Sequence, residues 1–254
     1  MGSSIDVSFD FTSDTPGFWQ NYWEKDALLG CAGNDPDRSS KTLKAYHRFL
    51  WSKPLPNGQK MELQFGAAPD YLNWSRFRFG SDSIAASFRY KKNRNNIKAL
   101  SDSLPNYHSF MEAYVHKSYT IGGEILFPKR PGGINQSRGC NPLIGDRFDL
   151  TLECIRRFYQ GKESPLSSVL QKDKEFFDLF LDFKGYIDFF FLQDFVSEYY
   201  RGIIFWLPQQ PFASSPLPLS PRDHIQCIHT ELDLIAKRNR RIVKSVEKSS
   251  GRPL

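Results

Sequence analysis

Apolar positions along the chain switch repeatedly between strand and helix periods. Residues 5–11 alternate and predict a strand. Thr15-Pro16 then offers an N-cap and a proline at the first helical position, followed by Phe18, Trp19, Tyr22 and Trp23 at helical spacing. A second helix is predicted over 40–51, with Leu43, Tyr46, His47 and Leu50 on one side. Its His47 lies on the apolar side and reads as a core histidine. A strand near 61–65 follows the turn residues Pro54, Pro56, Asn57 and Gly58.

Residues 74–90 predict a β-hairpin turning at Gly80-Ser81-Asp82-Ser83. In that register Phe77 and Phe79 face Ile84, Ala86 and Phe88, while Trp74, Arg76, Arg78 and Arg89 share the opposite face. Pro105 opens a helix to about His116. Residues 119–127 predict a strand in which Gly122-Gly123 marks a bulge or a close backbone approach. A long loop over 129–145 leads into a helix over 146–160. Ser164-Pro165 caps another helix, which Gly185 interrupts. A short strand at 203–207 precedes a proline-rich stretch. A final helix begins at the capping-box-like Ser220-Pro221-Arg222-Asp223 and runs to about Lys248.

That last helix carries Ile225, Ile228, Leu232, Ile235, Asn239, Ile242 and Val246, alternately three and four residues apart. The seam is narrow and suits docking along another helix. Packing within the same chain is favoured over self-association. Together the elements predict one α+β domain, with an antiparallel, hairpin-containing sheet packed against several helices and a long C-terminal helix. Residues 1–207 form the main domain, 208–219 a proline-rich linker, and 220–254 a docking helix with a basic end.

Composition supports a folded chain. The 254 residues are 40% hydrophobic and include 22 Phe and 11 Tyr, which argues against disorder. The four cysteines are scattered without a C-x-x-C pair and read as free thiols in a reducing compartment. Asp6 and Asp10 fall where a secretory signal would be apolar, and Asp6 also defeats a myristoylation motif at Gly2. The most apolar stretch, 176–196, holds Asp178, Asp182, Lys184, Asp188 and Asp194. It therefore predicts core helices rather than a membrane span. A cytoplasmic location without a membrane partner follows as an expectation.

The net charge of +6 is uneven, with basic blocks over 37–100 and 201–254. A phosphate-bearing partner fits this distribution, and so does an ordinary solvated surface. The loop over 129–145 is the first candidate. It combines Lys129, Arg130 and Arg138 with Gly132, Gly133, Gly139 and Gly145 and feeds a helix N-terminus. Such a loop can turn N–H groups and guanidinium donors toward a phosphate. It matches neither the Walker loop nor the dinucleotide fingerprint, and a plain surface loop is the competing reading.

In the helix that follows, Asp146, Asp149, Glu153 and Arg157 share one face. One reading makes Glu153 and Asp149 catalytic acids for phosphodiester chemistry. The other makes Asp146 an N-cap and Glu153–Arg157 an i,i+4 ion pair, as amphipathic helices commonly show. The second candidate surface is the hairpin face, where Arg76, Arg78 and Arg89 would bind phosphates beside Trp74, a stacking platform for a base. His224, Cys227 and His229 do not converge on a helix, so no metal site is expected there.

Several stretches resemble a family of bacterial proteins with no known activity. They are Asp35-Pro36-Asp37, LWSKPLPNG at 50–58, FRFGSDSI at 77–84, SYTIGG at 118–123 and DRFDLTLECIRR at 146–157. The resemblance runs from about Phe11 to Arg241. It implies a bacterial, cytoplasmic origin and carries over no catalytic residue, cofactor or mechanism. The residues themselves point first to a nucleic-acid-directed protein that binds or cleaves phosphodiesters, of toxin or phage-defence type. A nucleotide-using transferase and a non-enzymatic module docking through the C-terminal helix are the alternatives.

Overall fold

The computed structural model describes residues 5–67, 71–86, 88, 91–208 and 210–249. Three short α-helices lead the chain: α1 (Tyr22–Lys25), α2 (Pro36–Ser39) and α3 (Lys41–Trp51). Strands β1 (Gln64–Phe65), β2 (Leu72–Trp74) and β3 (Phe77–Ser83) follow, then α4 (Arg94–Ser103), α5 (Tyr107–Ser118) and β4 (Glu124–Pro128). The remainder is helical: α6 (Ile134–Cys140), α7 (Phe148–Tyr159), α8 (Ser167–Lys172), α9 (Lys174–Asp178), α10 (Phe183–Phe189) and the long α11 (Pro221–Ser249). The four strands lie in sequence order in one antiparallel sheet. The architecture is the expected single α+β domain with a long C-terminal helix.

The hairpin turns five residues before the Gly80 at which its turn chemistry places it. β2 and β3 join at Ser75-Arg76, with Trp74 opposite Phe77 and Leu72 opposite Phe79. Gly80, Ser81, Asp82 and Ser83 are therefore not a turn. They lie inside β3 and pair with Phe127, Leu126, Ile125 and Glu124 of β4. Trp74 shares the Phe77 side of the sheet, and its ring stacks on that of Phe77 at 6.1 Å. Arg78 pairs with Asn73 on the other side. The expected face combining Trp74 with Arg76 and Arg78 does not exist, and Arg89 lies outside the described residues.

Other expectations shift locally. Residues 5–11 form turns held by Asp6 and Asp10 side chains rather than a strand. The aromatic helix after Pro16 shortens to α1. Its rings pack on α5 side chains instead, as where Trp23 stacks on His108 at 4.3 Å. Within the basic block over 37–100, residues 94–103 wind into α4, whose Ile97 and Leu100 are buried. The loop over 129–145 contains α6, and α7 starts two residues late because Asp146 takes a left-handed backbone (φ 65). Asp146 is thus not the N-cap. The break in the phenylalanine-rich region is at Leu181 (φ 68), while Gly185 sits within α10. Residues 203–207 contribute only an isolated bridge between Val196 and Ile203.

α3 and α11 form as their patterns require. Ser40 accepts from the Leu43 amide at the start of α3, and Ser220 accepts from Asp223 at the start of α11. The seam of α11 docks within the chain. Ile228, Ile235 and Ile242 are buried, and Asn239 accepts the Gly122 amide at 2.7 Å. Gly122 and Gly123 permit this approach. A Cβ on Gly122 would lie 2.5 Å from the Ile235 carbonyl, and one on Gly123 would lie 1.8 Å from the Ser118 carbonyl. Arg238, one residue before Asn239, is fully buried and donates to the carbonyls of Gly122, Glu124 and Phe190. The C-terminal helix thereby fixes the start of β4. Among the described residues no helix is long and apolar enough to cross a membrane.

Candidate functional site

A cleft of about 730 Å³ opens where α2 and the segment after β4 meet β3. Two elements bring acids to it. Asp35 caps α2 by accepting the Asp37 amide, with Pro36 at the first helical position. That single turn sets Asp35 and Asp37 against β3, which contributes Ser81 and Asp82. Cations surround these acids. Arg38 follows on α2, Arg78 lies on β3, and Lys129 and Arg130 continue from β4. Gly80 lets the Lys129 stem lie flat across β3, since a Cβ there would come within 2.9 Å of Lys129 Cδ.

Not all of these cations are equally available. Arg130 is anchored by two bonds to Asp173, at 2.8 and 3.0 Å, and by the Val169 carbonyl. Arg78 lies over the Tyr71 ring at 4.1 Å. Among the described residues, Arg38, Arg78 and Lys129 have no salt bridge to an acid. All three line the shared opening, where the charges of Arg38 and Lys129 act on Asp35, and such a cluster of cations suits an anionic ligand.

Behind the cleft runs a one-way hydrogen-bond chain. Trp51 Nε1 donates to His47 Nδ1 at 2.9 Å, so the His47 proton must sit on Nε2. His47 Nε2 in turn meets Ser81 Oγ at 3.0 Å, and the Ser81 hydroxyl donates to Glu124 Oε2 at 3.0 Å. Burial and the nearby Arg238 charge push the His47 pKa down to about 3, in keeping with a neutral ring. His47 is thus a satisfied interior histidine that also orients Ser81.

Glu124 is fully buried, and its carboxyl lies within hydrogen-bond reach of Asp37. Burial first, and then the Asp37 charge, pushes Glu124 well above the usual carboxylate range. Asp37 keeps some contact with solvent as a residue, but its carboxyl is packed among protein atoms. Burial and the charges of Asp35 and Asp82 push it up to about 8. Two carboxylates cannot bond to each other without a proton or a cation between them. Accordingly, Asp37 Oδ1 and Glu124 Oε1 are both sealed from solvent and meet no donor.

The sequence-based candidates divide between this cleft and the interior. Lys129, Arg130 and Arg78 line the cleft, but Arg76 does not: it sits in the β2–β3 turn and pairs with Glu175 at 2.6 Å. Trp74 is committed to Phe77. Arg138 is fully buried and bonds to Asp82, to the Ser83 and Asp146 carbonyls and to Thr151. It braces the back of β3 rather than facing a ligand. Asp149 accepts from Arg147 and from the Trp206 amide, and Glu153 is shared by Arg156 and Arg157. Neither acid lines the cleft. The ion-pair reading of Glu153–Arg157 is the one the structure displays, with Arg156 added.

The acids that do line the cleft were passed over by residue-level reasoning. Asp35 and Asp37 flank a proline in a stretch that reads as loop, and Ser81-Asp82 reads as a turn. Both stretches nevertheless fall within the segments that carry the family resemblance.

The chain belongs to a family of unknown function (DUF6994), whose sequence profile matches residues 5–242. No curated protein and no solved structure matches it significantly.

Proposed function

We propose that the chain binds a nucleotide by its phosphates in the α2–β3 cleft and acts as a nucleotide-using transferase. The observation that carries this reading is the set of cations Arg38, Arg78 and Lys129 lining a cleft that also holds the carboxyl groups of Asp35, Asp37 and Asp82. Cations alone would make an anion-binding surface. Acids placed among them are what phosphoryl-transfer sites use to hold a cation or an attacking hydroxyl. The volume of about 730 Å³ suits one nucleotide. An extended nucleic-acid track is less well supported. Its intended face loses Trp74 to Phe77 and Arg76 to Glu175.

The test is thermal melting of the full chain with ATP, ADP or GTP, and separately with a single-stranded RNA oligonucleotide, at low and high salt. A nucleotide is expected to raise the melting temperature. Lys129→Ala and Arg78→Ala are each expected to weaken binding about 10–100-fold, the loss of one charge-assisted contact. Stabilisation that survives both substitutions, or that no nucleotide produces, overturns the reading. Stabilisation by the oligonucleotide alone, falling steeply with salt, would instead favour nucleic acid.

A further inference from the structure

The cleft sets carboxyl groups beside its cations. Asp35, Asp37 and Asp82 line it, and Glu124 lies directly against Asp37. The Asp37–Glu124 contact needs a proton or a cation between the two carboxyl groups.

A second observation locates it. Asp37 Oδ1, Glu124 Oε1 and Asn135 Oδ1 are buried side-chain oxygens without a hydrogen-bond donor. All three residues gather around Ser81. Glu124 accepts its hydroxyl, Asp37 lies within hydrogen-bond reach of it, and Asn135 donates to its carbonyl at 3.0 Å. The three orphan atoms are all hard oxygen acceptors. Buried acceptors are rarely left without a partner. Glu124 is the decisive one, because it is wholly buried and cannot turn to solvent. The chain from Trp51 through His47 and Ser81 delivers its donor only to Oε2. Oε1 meets no donor and is left against the Asp37 carboxyl, a contact that needs a proton or a cation between the two acids.

We propose that Asp37 and Glu124 hold a hard divalent cation, Mg²⁺ or Mn²⁺, and that phosphate oxygens of the bound nucleotide, with water, complete its coordination. This deepens the nucleotide reading and rests on it for the phosphate ligands. Mg²⁺ is commonly held by one or two carboxylates together with substrate phosphates and several waters. Among the described residues no group of three or more His, Cys, Asp or Glu side chains is placed to hold a metal. The Asn135 Oδ1 atom is suited to accept from a metal-bound water. The cation would bridge acids and phosphate, and Arg78 and Lys129 would take the outer phosphate oxygens.

The experiment titrates the full chain with Mn²⁺, following the free ion by electron paramagnetic resonance, first alone and then with saturating ADP. ADP binding is measured separately by calorimetry, with and without Mn²⁺. Weak Mn²⁺ binding is expected alone, tightening at least about tenfold with ADP. Glu124→Gln and Asp37→Asn are each expected to abolish that gain. Asp37 sits on a short surface helix, so its variant tests the idea even where Glu124→Gln perturbs folding, which circular dichroism reports. The cation site is overturned if the parent binds ADP but Mn²⁺ binds no tighter in its presence, or if both folded variants keep the gain. If Mn²⁺ binding depends on Asp37 while ADP never binds, the cation site is upheld and the nucleotide reading falls.

Discussion

Arg138→Ala is expected to lower the unfolding free energy by about 3–5 kcal/mol, the cost of removing one partner from a buried ion pair. Arg138 is fully buried, and its guanidinium ties β3 to the start of α7. It bonds Asp82 at 2.8 Å and the Ser83 carbonyl at 2.8 Å on β3, the Asp146 carbonyl before α7, and Thr151 Oγ1 within α7. Truncation leaves Asp82 and two carbonyls without their donor in a partly buried region, and each such group costs on the order of 1–3 kcal/mol where water does not replace the donor. Arg138→Met, which keeps most of the volume, is expected to recover less than half of the loss, because the deficit is polar. Urea unfolding of both variants measures this. A loss under about 1 kcal/mol for Arg138→Ala, beneath the range for broken buried pairs, would mean that the network is dispensable. The same experiment separates bracing from ligand binding. A phosphate-clamping arginine would lose ligand affinity with stability intact.

Arg138 also shows what could and could not be read from the sequence. An arginine among glycines, ahead of a helix, fits a phosphate loop by residue type. Whether it points outward depends on Asp82, 56 residues earlier, and on the helix α6 that forms within the apparent loop. The same limit explains the hairpin. Gly-Ser-Asp-Ser has the chemistry of a turn, yet β4 supplies a full ladder of partners across those residues. Long-range pairing overrides local preference there. Where the determinants are local, the sequence sufficed. Ser40 caps α3, the seam of α11 docks, and Gly122-Gly123 marks a close approach because each signal lies within its own element.

The candidate site was half legible for the same reason. Lys129, Arg130 and Arg78 carry charge that a sequence displays. Glu124 looks like an ordinary residue at a strand start, and only the sheet register sets it beside Ser81. Asp35 and Asp37 look like loop acids until α2 folds back on β3. The segments that resemble the family at 35–37 and 77–84 meet in this cleft. Helix α7, which carries the resembling segment at 146–157, instead supplies interior ion pairs.

The difference in stability between Glu231→Gln and the parent is expected to change with pH by about 1.4 kcal/mol per unit between about pH 5 and pH 8. Glu231 is fully buried in α11. Its carboxylate oxygens are met by the Tyr114 hydroxyl at 2.6 Å and by the Cys227 thiol at 3.4 Å. Burial pushes its pKa from 4.5 up to about 8, and the donors only partly offset this. The folded state therefore binds the proton more tightly than the unfolded state. Its contribution is complete below about pH 4.5 and is lost as pH rises toward about 8, beyond which both states are ionised and the curve flattens. The glutamine side chain of the variant has no such proton to lose. The variant should thus gain on the parent as pH rises. Using the difference cancels the opposing titrations of His47 and His224, whose pKa values burial pushes down to about 3 and about 4. Denaturant titrations of both proteins at pH 5, 6, 7 and 8 give the slope directly. Parallel stability curves would show that Glu231 is ionised throughout, with its charge balanced by Arg147 nearby. A converging or diverging pair with the stated slope would show that α11 carries a neutral carboxylic acid through the middle of the domain.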